Sequence, residues 1–175
     1  MNPAYYGLAK SSMAAWHGEF GRTLLTANRD LLSLTEADLK TIESAYDGLA
    51  SKIACKRKHK EDLIDVTFGP TGAAKILFAL RPQALVPWDD PVRKHFGCDG
   101  SGSSYCRFLR MAQAWMSELS TDCQKHEIEL SQLPEKLNQS HASPVKLADE
   151  YLWVTITQKC PAPDKPLLER WVEWS

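Results

Sequence analysis

The 175-residue chain lacks any run of eighteen apolar residues, and its N-terminus lacks a basic stretch followed by an apolar one. A transmembrane helix needs about twenty mostly apolar residues, and a secretory leader combines a basic start with an apolar core. The sequence therefore predicts a cytoplasmic protein without a membrane partner. With 43% hydrophobic residues, the chain can bury a core of ordinary size, so we expect a single domain over residues 1–175.

Paired cysteines and metal-ligand spacings are also missing. The cysteines are odd in number, widely spaced and without a C-x-x-C pair: Cys55, Cys98, Cys106, Cys123 and Cys160. This spacing indicates reduced thiols rather than a disulfide framework or a zinc site. The five histidines show no H-E-x-x-H spacing, and neither a P-loop nor a dinucleotide fingerprint occurs. We therefore expect no metal and no cofactor, and we interpret Gly97, Gly100 and Gly102 as C-cap and loop residues.

Apolar residues recur mostly at helical spacing, which predicts an all-α helical bundle. Thr35 and Asp38 form a capping-box-like start for a helix whose apolar face repeats every three or four residues: Leu39, Ile42, Tyr46, Leu49 and Ile53. A second such face follows the serines at 101–104: Tyr105, Phe108, Leu109, Ala112, Met116 and Leu119. Weaker patterns predict helices over residues 12–28, 127–138 and 145–154, the last turning extended at 153–157. A final short helix opens at residues 164–166 and carries Leu167, Leu168, Trp171 and Trp174.

A tight glycine turn separates two further predicted helices, at residues 62–67 and 71–80. The second of these ends at Arg81, because proline disfavours helix in the residue before it. The N–H groups at the start of a helix have no partner inside it, so this turn is a natural seat for a phosphate. The candidate phosphate-binding residues are Gly69, Pro70, Thr71 and Gly72.

Two adjacent carboxylates follow the second of these helices. Asp90 stands directly before Pro91, which is typical of an N-cap followed by proline at the first helical position. Asp89 is therefore the stronger candidate for chemistry, with Asp90 as the alternative. Trp88 precedes them and is predicted to wall a pocket beside the carboxylate.

Residues 60–97 resemble the helix-hairpin-helix DNA glycosylases, whose hairpin reads L-P-G-V-G-x-K-T-A and is followed by V-D-x-x-V-x-R. The resemblance implies a helix-hairpin-helix element at about 60–81, DNA as partner, and cleavage of the N-glycosidic bond of a modified base. It also implies that Asp89 serves the reaction. Ala73 occupies the place of the lysine that forms a covalent imine, and Lys75 comes two positions later. The resemblance thus favours a monofunctional, water-using enzyme, and the isolated last cysteine favours the absence of an iron–sulfur cluster.

The net charge and the distribution of charge have opposite implications for the expected binding of DNA. A formal net charge of −1 weighs modestly against a nucleic-acid ligand. Basic residues nevertheless flank the glycine turn on both sides and are the predicted contacts to the DNA backbone: Lys56, Arg57, Lys58, Arg93 and Lys94. The near-neutral charge leaves two alternatives open, a non-catalytic helical module that binds DNA or a protein partner, and a helical interaction domain without nucleic-acid contact.

Overall fold

The computed structural model describes residues 6–26, 29–164 and 166, and this part of the chain is mostly helical. The described residues form eight α-helices: α1 Tyr6–Trp16, α2 Arg22–Thr26, α3 Glu36–Ala50, α4 Gly69–Leu80, α5 Asp90–His95, α6 Gly102–Lys125, α7 Leu133–Lys136 and α8 Pro144–Leu152. One antiparallel hairpin joins strands β1 Ile53–His59 and β2 Asp62–Thr67. Helix accounts for 63% of the structure and strand for 8%, so the helical class is confirmed and a two-stranded sheet is added to it. None of the described helices has the length and apolarity that a membrane crossing requires.

The two strongest sequence patterns became the two central helices, except that α3 ends at Ala50 and Ile53, predicted to belong to it, lies in β1. Helix α3 begins at the predicted capping box, in which the Thr35 hydroxyl accepts from the Asp38 N–H and the Asp38 carboxylate accepts from the Thr35 N–H. Helix α6 begins after Ser101, whose hydroxyl accepts from the Ser104 N–H. Helices α3 and α6 pack against each other, and the buried core takes residues from both, from α4 and α8, and from segment 84–88.

A glycine sets how closely α3 and α6 approach. A Cβ on Gly102 would lie 2.6 Å from the Glu43 carbonyl oxygen, so no other residue fits there without moving a backbone. Asp47 of α3 also accepts a hydrogen bond from the Gly102 N–H, at 2.7 Å. Gly102 is therefore a helix-packing residue rather than the predicted loop glycine. Gly97, in contrast, follows α5 with a φ of +61°, which confirms its predicted C-cap role.

The predicted helix over residues 62–67 is wrong, because this segment is strand β2. Its side chains alternate with a period of two: Ile64 and Val66 are half-buried, whereas Leu63, Asp65 and Thr67 are exposed. Lys60 adopts a φ of +55° in the turn that joins β2 to β1. The helix-hairpin-helix element expected at 60–81 is therefore a β-hairpin followed, across Phe68, by helix α4. Beta-branched residues on one face favoured the strand over the helix.

The weaker helix predictions were partly confirmed. Residues 12–28 lie in α1, a π-helical turn at His17–Gly21 and α2, as far as they are described. Residues 127–138 form only a 3₁₀ turn at Leu130–Gln132 and the short α7. Helix α8 does not turn extended at residue 153 but continues as a π-helical turn, Trp153–Thr157. The predicted final helix lies outside the described residues, apart from Pro166, which is helical.

Three acidic groups in the core predict a loss of stability at alkaline pH. Burial raises the pKa of the Tyr46 and Tyr105 hydroxyls well above the usual range, and it raises the pKa of the Cys106 thiol to about 12. Each group binds its proton more tightly in the folded chain than in the unfolded one. Their contribution is therefore complete below the unfolded pKa values of about 8.5 to 10 and declines as the pH rises beyond them.

We expect the urea midpoint to fall steadily between about pH 9 and pH 11. Tyr105→Phe removes one of the three groups, so its midpoint should fall less steeply over the same interval. A midpoint that stays level across this interval in the parent chain would contradict the assignment.

Candidate active site

An open cleft of about 640 Å³ lies where α4, the segment before α5, and α8 with its π-helical turn come together. Polar and apolar side chains share its lining: Lys75, Phe78, Pro87, Trp88, Asp89, Val92, Lys146, Asp149, Glu150, Trp153 and Val154. Three of the residues singled out in the sequence, Lys75, Trp88 and Asp89, therefore lie at one cavity. The mixture of carboxylates, ammonium groups and aromatic rings suits a ligand with both a flat apolar part and polar groups.

Asp89 is the N-cap of helix α5, and this reverses the predicted roles of the two aspartates. Its backbone is extended, with φ −109° and ψ −178°, and its Oδ1 accepts from the Val92 N–H at 2.9 Å. Asp90 is instead the first residue of the helix, so Pro91 is its second. Either position accommodates a proline, which is why the Asp-Asp-Pro sequence did not distinguish the two registers.

Thr157 makes the second hydrogen bond to Asp89. Its hydroxyl donates to the Asp89 Oδ2 at 2.7 Å, across a sequence separation of 68 residues. The carboxylate is thus fixed at both oxygens, by the backbone of α5 and by the end of the π-helical turn. Each carboxylate oxygen also has a second lone pair, which can accept a further hydrogen bond. Sequence reasoning missed Thr157, because no local pattern relates it to residue 89.

Asp90 lies outside the cleft lining and pairs with basic residues of its own helix. Its carboxylate contacts Lys94 Nζ at 2.6 Å and the Arg93 guanidinium. These two hydrogen bonds, that from Lys94 first, lower the Asp90 pKa to about 2. Its surroundings are those of an exposed ion-pair residue, with 54% of its side chain accessible.

Lys75 projects from α4 into the same cleft as Asp89. Phe78 follows it by three residues and lines the cleft too, as expected for neighbours on one helix face. Ala73, which the resemblance aligns with the imine-forming lysine, is fully buried. A lysine at position 73 would therefore lie in the core, and Lys75 is the lysine of α4 that lines the cleft.

Trp88 and Trp153 both line the cleft, but they differ in how much of each ring a ligand can reach. Trp88 is 1% exposed, and its ring packs among Tyr46, Tyr105 and Phe108, with Nε1 donating to the Pro70 carbonyl at 3.2 Å. It is a core residue that meets the cleft only at its edge. Trp153 is 48% exposed at the cleft lining and presents its aromatic ring to a ligand. The only sequence signal around Trp153 was strand-like branching, which indicated an extended segment rather than a ligand-binding ring.

The wall formed by α8 carries its own charges. Lys146 Nζ lies 2.7 Å from an Asp149 carboxylate oxygen and 3.6 Å from one of Glu150. The two carboxylates raise the Lys146 pKa against the opposing effect of burial, which is the largest single influence on it. Lys146 therefore stays protonated at neutral pH, and the two carboxylates of its own helix balance its positive charge.

The glycine turn at the start of α4 keeps part of the geometry predicted for a phosphate-binding turn. Gly69 has a φ of +65°, a backbone region that side-chain-bearing residues avoid. Among the residues that the structure describes, no side chain caps the start of α4, so the first-turn N–H groups of Gly69, Thr71 and Gly72 lack a side-chain cap. Pro70 has no N–H to offer. The Pro70 carbonyl accepts from both the Tyr46 hydroxyl and Trp88 Nε1, so the core fixes this turn.

The predicted DNA-contacting cations are not equally available. In β1, successive side chains point to opposite faces, so Lys56 and Lys58 share one face and Arg57 takes the other. Lys56 pairs with Asp65 at 3.3 Å across the hairpin. Arg93 is only 14% exposed and binds Asp90 and the Cys98 carbonyl, whereas Lys94 is 69% exposed. Lys56, Arg57, Lys58 and Lys94 thus remain accessible, and Arg93 serves the structure of α5.

Among the described residues, no group of three or more His, Cys, Asp or Glu side chains could hold a metal ion. Comparisons with protein-family models, with curated protein sequences and with solved structures gave no match to this chain.

Proposed function

We propose that the protein acts on DNA as a monofunctional N-glycosylase, releasing a modified base in the cleft that contains Asp89. The observation that carries this proposal is that a fixed carboxylate, Asp89, lines an open cleft together with Lys75 and the exposed ring of Trp153. The test is whether the chain releases free base from damaged duplexes and whether Asp89→Asn loses that activity.

Asp89 supplies the negative charge that the reaction requires. Breaking an N-glycosidic bond leaves positive charge on the sugar, and a carboxylate held beside the sugar stabilises that charge or orients the attacking water. The hydrogen bonds from the Val92 N–H and the Thr157 hydroxyl position the carboxylate before the substrate arrives. Such a preorganised group needs no rearrangement at the moment of reaction.

Trp153 and the apolar cleft residues receive the base. A base is chemically accessible only after it has left the duplex stack, and aromatic side chains then replace its stacking partners. Base–aromatic stacking contributes about 1–3 kcal/mol per base. Phe78, Val92 and Val154 add apolar surface around the same cleft.

Lys75 contacts the substrate as a cation rather than as a nucleophile. A covalent imine requires an amine directed at the sugar carbon, and the alignment with the glycosylase hairpin places that position at the buried Ala73. Water is therefore the nucleophile in this proposal, and the strand is left intact after base release. Lys75, which lines the cleft on α4, then offers its charge to a phosphate or to a polar group of the base.

The DNA backbone meets the protein at two basic elements. The start of α4 presents N–H groups to a phosphate, and the outer face of the hairpin carries the exposed Lys58 and the half-buried Lys56. We expect duplex binding that weakens steeply with salt, because displaced counterions drive it.

Paired hairpin variants test which cations contact the DNA. Lys56→Ala with Lys58→Ala removes two charges from the outer face and should reduce the slope of log affinity against log salt by about 2. Arg57→Ala removes a charge from the opposite face and should change that slope less. Fluorescence anisotropy with a labelled duplex measures both variants, and failure to retain any DNA at low salt would exclude a nucleic-acid partner.

The second candidate is a non-catalytic module that binds DNA or a protein partner. It is favoured by one observation: both oxygens of Asp89 already accept hydrogen bonds that stabilise the fold. On this account Asp89 joins α5 to the π-helical turn, and the cleft binds without reacting. A chain that binds DNA but releases no base, with or without Asp89, would support it.

A further inference from the structure

Four residues of α8 and its π-helical turn share one face and line the Asp89 cleft. Lys146, Asp149 and Glu150 are spaced three and four residues apart, which places them on one side of the helix, and Trp153 continues the same spacing. The three charged residues form one group, because Lys146 Nζ contacts both carboxylates, at 2.7 Å and 3.6 Å. This wall of the cleft thus combines a polar group with an aromatic ring that is 48% exposed.

The groups follow one another along the wall in the order of the parts of a nucleotide. Thr157, at the end of the π-helical turn, holds the Asp89 carboxylate that the proposed function places beside the sugar. Trp153 comes four residues before Thr157, where it can stack on the base. Glu150 lies three residues before Trp153, about 4.5 Å along the helix axis. The polar group therefore comes to the edge of a stacked base that is remote from the sugar, which is the Watson–Crick edge.

The polar group offers more hydrogen-bond acceptors than donors. An ionised carboxylate only accepts, whereas the Lys146 ammonium has three N–H donors, of which the two carboxylates engage at most two. The group can therefore present two acceptors and one donor to a base. Guanine carries the complement on its Watson–Crick edge, one acceptor at O6 and two donors, N1–H and the 2-amino group. Adenine, cytosine and thymine each have one donor group on that edge, so each would satisfy only one of the two carboxylates.

We propose that the base received by the cleft is a guanine derivative that keeps its Watson–Crick edge. Asp149 and Glu150 accept from N1–H and the 2-amino group, and Lys146 donates to O6. This inference rests on the proposed function, since it names the class of base that the same cleft would release. The charged residues of α8 choose the base by hydrogen bonds to this edge, as is general for bases taken out of the stack. Trp153 stacks on any flat base and adds affinity without choosing among them.

Binding of free nucleotides tests this inference without requiring base release. Deoxyguanosine monophosphate and deoxyinosine monophosphate differ only in the 2-amino group, so the contributions of sugar, phosphate and stacking cancel when the two are compared. NMR shifts of the backbone amides of residues 146–157, followed while each nucleotide is titrated to millimolar concentrations, report binding in the cleft. Hydrogen bonds to charged groups are stronger than neutral ones, so we expect the guanine nucleotide to bind on the order of tenfold or more tightly than the inosine nucleotide.

Two matched double variants assign the preference to the α8 carboxylates. Asp149→Asn with Glu150→Gln keeps the shape of both side chains and removes their charges, and it should lose most of the preference for the guanine nucleotide. Glu118→Gln with Glu135→Gln removes two exposed charges outside the cleft lining and should keep the preference of the parent chain.

The possible results separate this inference from the proposed function. Equal affinity of the parent for the guanine and inosine nucleotides, tighter binding of the adenine or cytosine nucleotide, or no shift with any nucleotide would overturn the inference. An unchanged preference in the Asp149→Asn, Glu150→Gln variant would do the same. A guanine preference in a chain that releases no base from any duplex would contradict the proposed function alone. Release of an adenine or pyrimidine derivative, with none of a guanine derivative, would contradict this inference alone.

Discussion

Asp89→Asn is expected to lower the rate of base release by a factor on the order of 10² or more, while the fold and DNA binding are retained. Asparagine is nearly identical in shape and is a good N-cap, so its side-chain oxygen can still accept from the Val92 N–H. Its amide can donate to the Thr157 hydroxyl, where the carboxylate oxygen accepted before. The substitution therefore removes the charge and little else.

Two control variants accompany that measurement. Asp90→Asn removes an exposed carboxylate whose partners are Arg93 and Lys94, so base release should be unaffected. Lys75→Ala should weaken DNA binding but retain base release at saturating DNA if water is the nucleophile. A borohydride-trapped adduct that disappears in Lys75→Ala would instead assign the nucleophile to Lys75, and equal activity of the parent and Asp89→Asn would remove Asp89 from the mechanism.

Trp88→Ala is expected to have the largest effect on stability, a loss of about 3–5 kcal/mol in the free energy of unfolding. The ring is buried among Tyr46, Tyr105 and Phe108, so its removal leaves a cavity at the centre of the core. The Pro70 carbonyl also loses one of its two donors. For a chain of this length, the melting temperature should fall by roughly 6–20 °C.

Trp153→Ala provides the matched comparison, because it removes the same side chain from an exposed position. Its unfolding free energy should change by less than about 1 kcal/mol. Affinity for a flipped base should weaken by roughly 5- to 150-fold, which corresponds to the stacking contribution. Thermal melts and titrations with a duplex that contains a damaged base would measure both effects. A stability loss as large in Trp153→Ala as in Trp88→Ala would show that the two rings have been assigned wrongly.

The parts of the fold that the sequence predicted are those with strong local signals. Helix α3 combined a capping box with an uninterrupted apolar face, and α6 combined serine caps with another. Strand β2 lacked such a signal, because the apolar residues among its six positions fit both the helical period and the strand period. The segment also comes shortly after a run of five basic residues. The glycine turn after it then suggested a helix on both sides, and the pairing with β1 that stabilises the strand is not visible in local sequence.

The candidate site was predicted in part for a similar reason. Lys75 and Asp89 belong to one continuous stretch, so their proximity follows from a short connection between α4 and α5. Thr157 and Trp153 come from α8 and its π-helical turn, more than sixty residues later, and only tertiary packing brings them to Asp89. The exchange of roles between Asp89 and Asp90 rests on a shift of one residue in the helix start. Propensity does not resolve a shift of that size.

The central claim is that the Asp89 cleft releases a base from DNA, and one measurement tests it most directly. The purified chain is incubated with a panel of duplexes, each carrying one modified or damaged base, and free base and strand breaks are quantified separately by mass spectrometry and denaturing gels. We predict release of free base from at least one duplex, with the strand left intact until alkali is added. Binding of the duplexes without release of any base, under conditions in which the folded chain is saturated, would contradict the claim.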